Sequence, residues 1–294
     1  MIRKLLYCCL LSTFLQATHG EFRLSTGPAW HEFYAVERFF FDPVIDTIDV
    51  EMFEELKFDL MAYMDAQARM YIGNSFNVHG TYAGGFLQKG EMAVNHYVPI
   101  DATNSLQFVR ESTMDVAITT LDINVGAQCC LHKRLLVNPF VGYVFNLQTL
   151  DIVNFSNAHD NAQFYNSWRG SYIGLEGVFA FSDCFIGKAF YKHVFANFRA
   201  DITFNLSPIK EIIIPHAHNE QWKAQAFGNI FCFELLYNYH NHWHIGSAVT
   251  VAQYDNHADG FIIMQTPIAN LTQTRLKKVL WNQVAWTFFV EIDF

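Results

Sequence analysis

The chain has 294 residues, of which 51% are hydrophobic, 16% aromatic and only 16% charged, and its formal net charge is −9. This negative charge argues against nucleic-acid binding, which calls for a basic face. After the first twenty residues, no run of eighteen apolar residues occurs, which argues against membrane-spanning helices. The 29 Phe and 13 Tyr against 7 Pro favour β-strands.

Residues 1–20 have the features of a secretory signal peptide. Basic Arg3 and Lys4 precede an apolar stretch over residues 5–15, and small residues follow at 17–20. This apolar stretch is too short to span a bilayer. We therefore predict a cleaved signal over residues 1–20 and one domain over residues 21–294. The alternative is a buried N-terminal helix.

The first long alternating run covers residues 56–72. Its polar positions carry Lys57, Asp59, Asp65, Gln67 and Arg69, and apolar side chains occupy the positions between them. A period of two predicts a β-strand with one apolar and one polar face. Residues 50–64 also fit an amphipathic helix, so that alternative stays open here.

Two further runs alternate in the same way. Residues 194–206 place Phe198 and Ile202 on one face, and Asn197, Arg199 and Asp201 on the other. We predict that the apolar face contacts lipid and that Arg199 and Asp201 face a lumen. Residues 227–239 carry aromatic residues on one face and Glu234 on the other.

Ten strands account for the whole pattern. They are predicted near residues 22–40, 55–72, 76–87, 114–130, 135–153, 167–180, 188–206, 223–239, 243–254 and 280–294. Short connections near 73–75, 132–134, 182–187 and 240–242 alternate with long ones near 41–54, 88–113, 154–166, 207–222 and 255–279. This alternation predicts an all-β fold, a closed antiparallel up-and-down transmembrane barrel with both termini in the periplasm. A soluble β-sandwich or barrel is the alternative.

A segment in the middle of the chain carries a more specific motif. Pro139-Phe140-Val141-Gly142 follows a basic turn, and a later strand opens with Trp168-x-Gly170-x-x-x-Gly174. This segment resembles the major outer-membrane proteins of Legionella and of chlamydia-like bacteria. The resemblance implies an abundant surface or porin-like barrel in the cell outer membrane and brings no catalytic residues with it.

The last strand has the longest regular alternation. Apolar residues occupy every second position at its end, namely Phe288, Val290, Ile292 and Phe294, and Glu291 and Asp293 lie between them. This ending resembles the C-terminal sorting signal of Gram-negative outer-membrane barrels. We therefore expect this strand to close the barrel, with outer-membrane lipid and the barrel-assembly machinery as its partners.

Two constellations invite a chemical interpretation. Asp255 and His257 match the Asp-x-His pair that omptin proteases carry at the rim of a ten-stranded barrel. However, no Asp-x-Asp pair lies near the top of an earlier strand to complete such a site. His240, His242 and His244 could ligate zinc, but alternate His residues beside a turn also suit the membrane interface. We predict no enzyme activity, no metal and no cofactor.

The predicted lumen residues define the leading functional hypothesis. They are Lys57, Asp59, Asp65, Arg69, Arg199, Asp201, Glu291 and Asp293. These charges could line a pore for small polar solutes, or they could pair across the lumen and close it. A rim protease using Asp255 and His257, and a surface adhesin acting through its loops, are the alternatives. The pairing of Cys129, Cys130, Cys184 and Cys232 stays open.

Overall fold

The computed structural model describes residues 17–41, 49–73, 75–99, 105–155, 160–205, 217–240, 242–264 and 271–294. These ranges form twelve strands. They are β1 (Ala17–Phe41), β2 (Asp49–Ile72), β3 (Phe76–Pro99), β4 (Ser105–Ala127), β5 (Cys129–His132), β6 (Leu135–Phe155), β7 (Asp160–Ala180), β8 (Phe185–Asn205), β9 (Ala217–His240), β10 (Trp243–Asn256), β11 (Gly260–Met264) and β12 (Leu271–Asp293). No helix in these ranges is long and apolar enough to span a membrane.

The sheet closes on itself. Each strand pairs antiparallel with its neighbours, and β1 pairs with β2 on one side and with β12 on the other. Short β5 follows β4 along the edge of β6, and short β11 continues beyond β10 between β9 and β12. The barrel therefore has ten strand positions, and the predicted all-β closed barrel is confirmed.

Both ends of the described chain meet at one end of the barrel. Gly20 and Phe294 exchange two backbone hydrogen bonds of 2.8 and 2.9 Å. The described residues of the short connections, namely 73, 75, 133–134, 181–184 and 242, lie at this same end, which is the periplasmic end in outer-membrane barrels. Residues 1–16 of the predicted signal peptide lie outside the described residues, and β1 begins at Ala17.

The strands are about twice as long as a membrane crossing requires. The nine long strands besides β10 have 21 to 25 residues, whereas roughly 9–11 tilted residues cross a bilayer. The prediction of long loops is therefore wrong for most of the residues concerned, which belong to strands. Most of residues 88–113, for example, belong to β3 and β4. The barrel wall continues into the water beyond the membrane.

The polarity of the two faces inverts part of the way along the strands. We call the part with apolar outward residues the membrane section. It comprises residues 22–30, 60–72, 76–86, 117–125, 137–147, 173–179, 185–195, 227–239, 243–251 and 284–292. Beyond it, in the outer section, the large apolar side chains turn inward. Phe33, Phe164, Phe198 and Trp222 are all buried there. Lipid surrounds the membrane section and favours apolar outward side chains, whereas water surrounds the outer section and favours polar ones.

The inversion corrects the predicted orientation of β8. Phe198 and Ile202 are 2% and 1% exposed, whereas the Arg199 and Asp201 side chains are 43% and 44% exposed. Phe198 packs against Phe33, whose strand β1 is not adjacent to β8, so both rings lie inside the barrel. The predictions that Arg199 and Asp201 line the lumen and that Phe198 faces lipid are therefore wrong. In the outer section, the polar face is the outside.

The Gly and aromatic residues of the central motif form reciprocal pairs across β6 and β7. Phe140 lies directly opposite Gly174, and Gly142 lies opposite Tyr172. A Cβ atom at Gly174 would meet the Phe140 ring at 2.3 Å, and one at Gly142 would meet Tyr172 at 2.5 Å. The two glycines thus leave room for the rings of Phe140 and Tyr172, which lie flat against the inner wall. Such pairs of a glycine and an aromatic residue occur in curved sheets.

We expect Gly174→Ala to destabilise the barrel by about 1–3 kcal/mol, because the added methyl group overpacks against Phe140. Gly177→Ala on the same strand is the matched control, since a Cβ atom there meets nothing within 4 Å. Unfolding of both variants by urea in lipid vesicles measures the difference. Equal stabilities of the two variants would contradict the role given to Gly174.

The four cysteines outside the predicted signal are free in the described structure. Cys129, Cys130 and Cys184 are exposed near the periplasmic turns, whereas Cys232 is buried inside the barrel. The Cys232 thiol accepts a hydrogen bond from the Thr250 hydroxyl at 3.3 Å. Cys232 is therefore part of the lumen packing.

Candidate functional site

Arg23 lies at the centre of the part of the lumen that the membrane section encloses. Its Nε donates to Glu291 Oε2 at 2.9 Å, and a terminal guanidinium nitrogen donates to Glu234 Oε2 at 2.8 Å. The guanidinium carbon also lies 3.9 Å from the centre of the Phe289 ring. Arg23 lies on β1 and Glu234 on β9, which are not adjacent strands. The contact therefore crosses the inside of the barrel.

Three further ion pairs cross the lumen at neighbouring positions. Lys188 Nζ lies 3.1 Å from Glu291, Lys192 Nζ lies 2.6 Å from Asp122, and Arg69 lies 2.8 Å from Glu176. Each pair joins two strands that are not adjacent in the sheet. We call this set the ionic layer. It consists of Arg23, Arg69, Asp122, Glu176, Lys188, Lys192, Glu234 and Glu291.

Neutral polar groups also donate hydrogen bonds to carboxylates in this part of the lumen. Asn138 donates to Glu176 at 3.0 Å, and the Tyr172 hydroxyl donates to Asp122. Asp65 accepts from Ser25 at 2.8 Å and from Gln67 at 2.9 Å. One cavity among the described side chains of the ionic layer measures about 40 Å³. Such a space holds a few waters at most, because one water needs roughly 10–15 Å³ by this measure.

An aromatic core fills the lumen above the ionic layer. The rings of Trp168 and Phe198 lie 4.4 Å apart, and Trp168 lies 5.4 Å from Tyr254. Tyr254 continues the cluster to Trp281 at 5.2 Å, and Phe33 closes it against Phe198 at 6.2 Å. All five rings are at most 2% exposed. Barrels of about eight strands are filled by their side chains, and ten strands are close to that size.

The predicted lumen residues occupy three different environments. Asp65, Arg69 and Glu291 point into the lumen and bond there, and Asp293 lies at the periplasmic mouth. The side chains of Lys57 and Asp59 lie outside the described residues. Arg199 and Asp201 pair with each other on the outer wall.

The exposed Asp201 carboxyl has three nearby donors or cations. Partial burial alone would raise the pKa of Asp201, but hydrogen bonds from Gln221 and Arg199 outweigh that effect. The charge of Lys223 acts in the same direction. The pKa of Asp201 is therefore below its ordinary value, and the carboxylate stays ionised on the water-facing wall.

Sequence reasoning missed most members of the ionic layer. They are Arg23, Asp122, Glu176, Lys188, Lys192 and Glu234 as lumen residues. A signal was present for Arg23, because Glu21, Arg23 and Ser25 alternate with Phe22 and Leu24. Glu234 was placed opposite an aromatic face, and it is indeed only 5% exposed. No sequence pattern shows which of these charges pair.

Asp255 and His257 do not face the barrel mouth. The His257 ring stacks on Phe227 at 4.5 Å, and Phe227 lies on the outer wall. Tyr254 points inward, so Asp255, its neighbour on the strand, points outward. The structure therefore places both residues on the outside of the barrel, with no acidic pair facing them across a cleft in the described part of the chain.

The three His residues near the last turn do not converge. His240 and His242 are exposed, whereas His244 contacts Asn238 at 2.8 Å and Asp293 at 2.9 Å. Among the described residues, His244, Glu291 and Asp293 lie close enough to share a metal ion. However, both ring nitrogens of His244 already have partners, and Glu291 bonds Arg23 and Lys188. These contacts account for the cluster without a metal.

The closed barrel, the apolar outer band and the periplasmic turns define an outer-membrane β-barrel protein. The profile of the family described as Protochlamydia outer membrane protein matches residues 48–294, and the chain belongs to this family. The predicted likeness to chlamydia-like outer-membrane proteins is therefore confirmed. No curated protein sequence matches the chain significantly.

One of the matching solved structures shares this architecture. The outer membrane protease OmpT from Escherichia coli superimposes with a TM-score of 0.74 at 10% identity, covering 95% of this chain and 97% of that chain. OprG from Pseudomonas aeruginosa matches at a TM-score of 0.36 and 8% identity, covering 94% and 96% of the two chains. At such identities, the likeness to OmpT shows the fold alone.

Proposed function

We propose that this protein is a non-enzymatic structural barrel of the outer membrane surface, with a lumen that is closed to solutes. The single observation that carries the proposal is the filled lumen. The ionic layer lies within the membrane section, and the aromatic core lies directly beyond it. Of the two hypotheses left open by the sequence, this arrangement favours charges that pair across the lumen over charges that line a pore.

The energetics of the two layers support a permanent closure. Removing one partner of a buried ion pair costs roughly 3–5 kcal/mol, so the crossing pairs resist separation. A passing polar solute would lose most of its hydration in the aromatic core, where the indole N–H groups of Trp168 and Trp281, which have no partner among the described residues, replace only part of it. A path for small sugars or ions would require both layers to rearrange together.

The outer section suits a protein that acts from the cell surface. Its outer wall is mostly polar, with exposed Phe261 and Ile263 as exceptions, and most of its apolar side chains form an interior core like that of a soluble barrel. We propose that outer-membrane lipid surrounds the membrane section and that the barrel-assembly machinery recognises the strand ending in Phe288, Val290, Ile292 and Phe294. Phe288, Val290 and Phe294 are exposed on the outer face, where lipid and an assembly partner can reach them.

A solute-permeation assay tests the proposed function. We expect vesicles containing the refolded protein to retain small sugars as well as protein-free vesicles do, because the lumen is filled. Vesicles with a general porin at the same density provide the positive control. Sugar-dependent swelling that increases with the amount of folded barrel would overturn the closed-lumen proposal.

A further inference from the structure

One sector of the outer wall carries cations just beyond the membrane section. Arg169 on β7, Arg199 on β8 and Lys223 on β9 all point outward. Arg199 lies directly opposite Lys223 in the sheet, and Arg169 lies opposite Asn197. Opposed residues of antiparallel strands have Cα atoms about 4.5–5.5 Å apart, so the side chains of Arg199 and Lys223 share one small area.

Elsewhere on the outer wall, outward residues of four other strands are acidic, namely Glu32, Asp115, Asp151 and Asp255. Strand β12 also carries the cations Arg275 and Lys277, and both pair with Asp259. Asp115 and Asp151 even lie directly opposite each other. The chain as a whole carries a net charge of −9. The cluster of cations on β7, β8 and β9 therefore does not follow from composition.

The described carboxylates neutralise these three cations only in part, because the charge of Lys223 acts on Asp201, which already pairs with Arg199. Asp201 pairs with Arg199 at 3.1 Å, and Asp259 pairs with Lys277 at 2.8 Å. Among the described residues, Arg169 and Lys223 make no ion pair. Both line a surface groove of about 680 Å³ that also contains Arg199. The groove therefore keeps an excess of positive charge on its β7, β8 and β9 wall, just beyond the membrane section.

Below the cations, the same three strands present a mostly apolar outer surface, which is interrupted by the hydrogen-bonded pair His193 and Asn229. Phe195 and Phe227 are 46% and 38% exposed there. Further down, a second groove of about 570 Å³ runs over the small residues Gly177 and Ala189, with Phe231 beside them. Phe231 lies eight residues from Lys223, or about 26 Å along the strand. With a strand tilt of about 45°, this corresponds to roughly the hydrocarbon depth of one leaflet.

We propose that the outer face of β7, β8 and β9 binds a phosphate-bearing lipid of the outer leaflet. Arg169 and Lys223 contact its phosphate groups, and its acyl chains lie along Phe195 and Phe227 toward the groove at Gly177. Guanidinium groups bind phosphate with two parallel hydrogen bonds, and lysine adds a point charge. The apolar surface below selects a lipid over free phosphate. This site lies outside the lumen and does not depend on its closure.

Native mass spectrometry of the folded barrel in neutral detergent tests the site. The probes are diphosphorylated lipid A and the same lipid with its phosphates removed. The double variant Arg169→Gln/Lys223→Gln should bind the phosphorylated lipid at least about tenfold more weakly, since each lost cation weakens binding to an anionic headgroup severalfold. The matched control is Lys133→Gln/Arg134→Gln, which removes the same charge from an exposed periplasmic turn.

The two variants and the two probes separate the outcomes. The proposal requires that the control binds like the unaltered protein, that the dephosphorylated lipid binds weakly to all three proteins, and that inorganic phosphate does not displace the bound lipid. Equal loss in both double variants would indicate a general charge effect and overturn the site. Equal binding of the two lipids would overturn the role of phosphate, and displacement by inorganic phosphate would overturn the choice of a lipid.

Discussion

Phe198→Arg is expected to prevent stable folding, whereas Asn197→Arg on the neighbouring position is expected to be nearly neutral. Phe198 is 2% exposed and contacts Trp168 and Phe33 inside the outer section. An arginine there would lie unpaired among aromatic rings, and the Phe packing would also be lost, at a combined cost above about 3–5 kcal/mol. Asn197 points into water, where a charge is tolerated. Urea titration in lipid vesicles measures both.

The orientation of residues 197 and 198 can be tested separately from the size of the stability difference between the two variants. If Phe198 faced lipid, Phe198→Arg would also be costly, so the folding free energies alone do not distinguish the two orientations. Labelling does. We expect a water-soluble maleimide to react with Asn197→Cys in the folded barrel and not with Phe198→Cys, after the other thiols have been replaced. Labelling of Phe198→Cys alone would show that the two faces are reversed.

Arg23→Met is expected to reduce the free energy of unfolding by about 3–5 kcal/mol, because it leaves Glu234 and part of Glu291 as uncompensated buried charges. Arg199→Met is the matched control. It breaks an ion pair whose partners are 43% and 44% exposed, and such pairs contribute roughly 0–1 kcal/mol. Equilibrium unfolding of both variants under the same conditions gives the comparison.

The double variant Arg23→Met/Glu234→Gln extends the test. Removing the partner charge as well should restore part of the stability, because Glu234 is then no longer an unpaired anion. A cost for Arg23→Met no larger than that for Arg199→Met would mean that the ionic layer is hydrated and that the lumen is open to water. No recovery in the double variant would contradict a direct pair.

Much of the fold could be predicted because lipid imposes a regular pattern. On β12, the alternation of Val284, Trp286, Phe288 and Val290 with Gln283 and Glu291 gives the correct faces, and all four apolar residues are exposed in the structure. The same reasoning failed on β8 between Val194 and Ile202. A period of two separates two faces, but it does not say which one faces outward once the strand has left the membrane.

The lumen was less predictable than the wall. Asp65, Arg69 and Glu291 could be placed inside from alternation alone. Their partners could not, because Arg69 and Glu176 are 107 positions apart and lie on strands separated by three others. Pairing across a barrel depends on strand register and tilt, which the local sequence does not encode. The aromatic core was missed for the same reason, since its rings come from β1, β7, β8, β10 and β12.

Single-channel recording in planar bilayers tests the closed lumen most directly. The protein should first be shown to shift its gel mobility on heating, which indicates a folded barrel. We predict that this folded protein inserts without producing conductance steps at either sign of the applied potential, because the ionic layer and the aromatic core fill the lumen. Reproducible unitary conductance steps from the same heat-modifiable preparation, which disappear after boiling, would contradict a closed lumen. They would indicate that the protein is a porin.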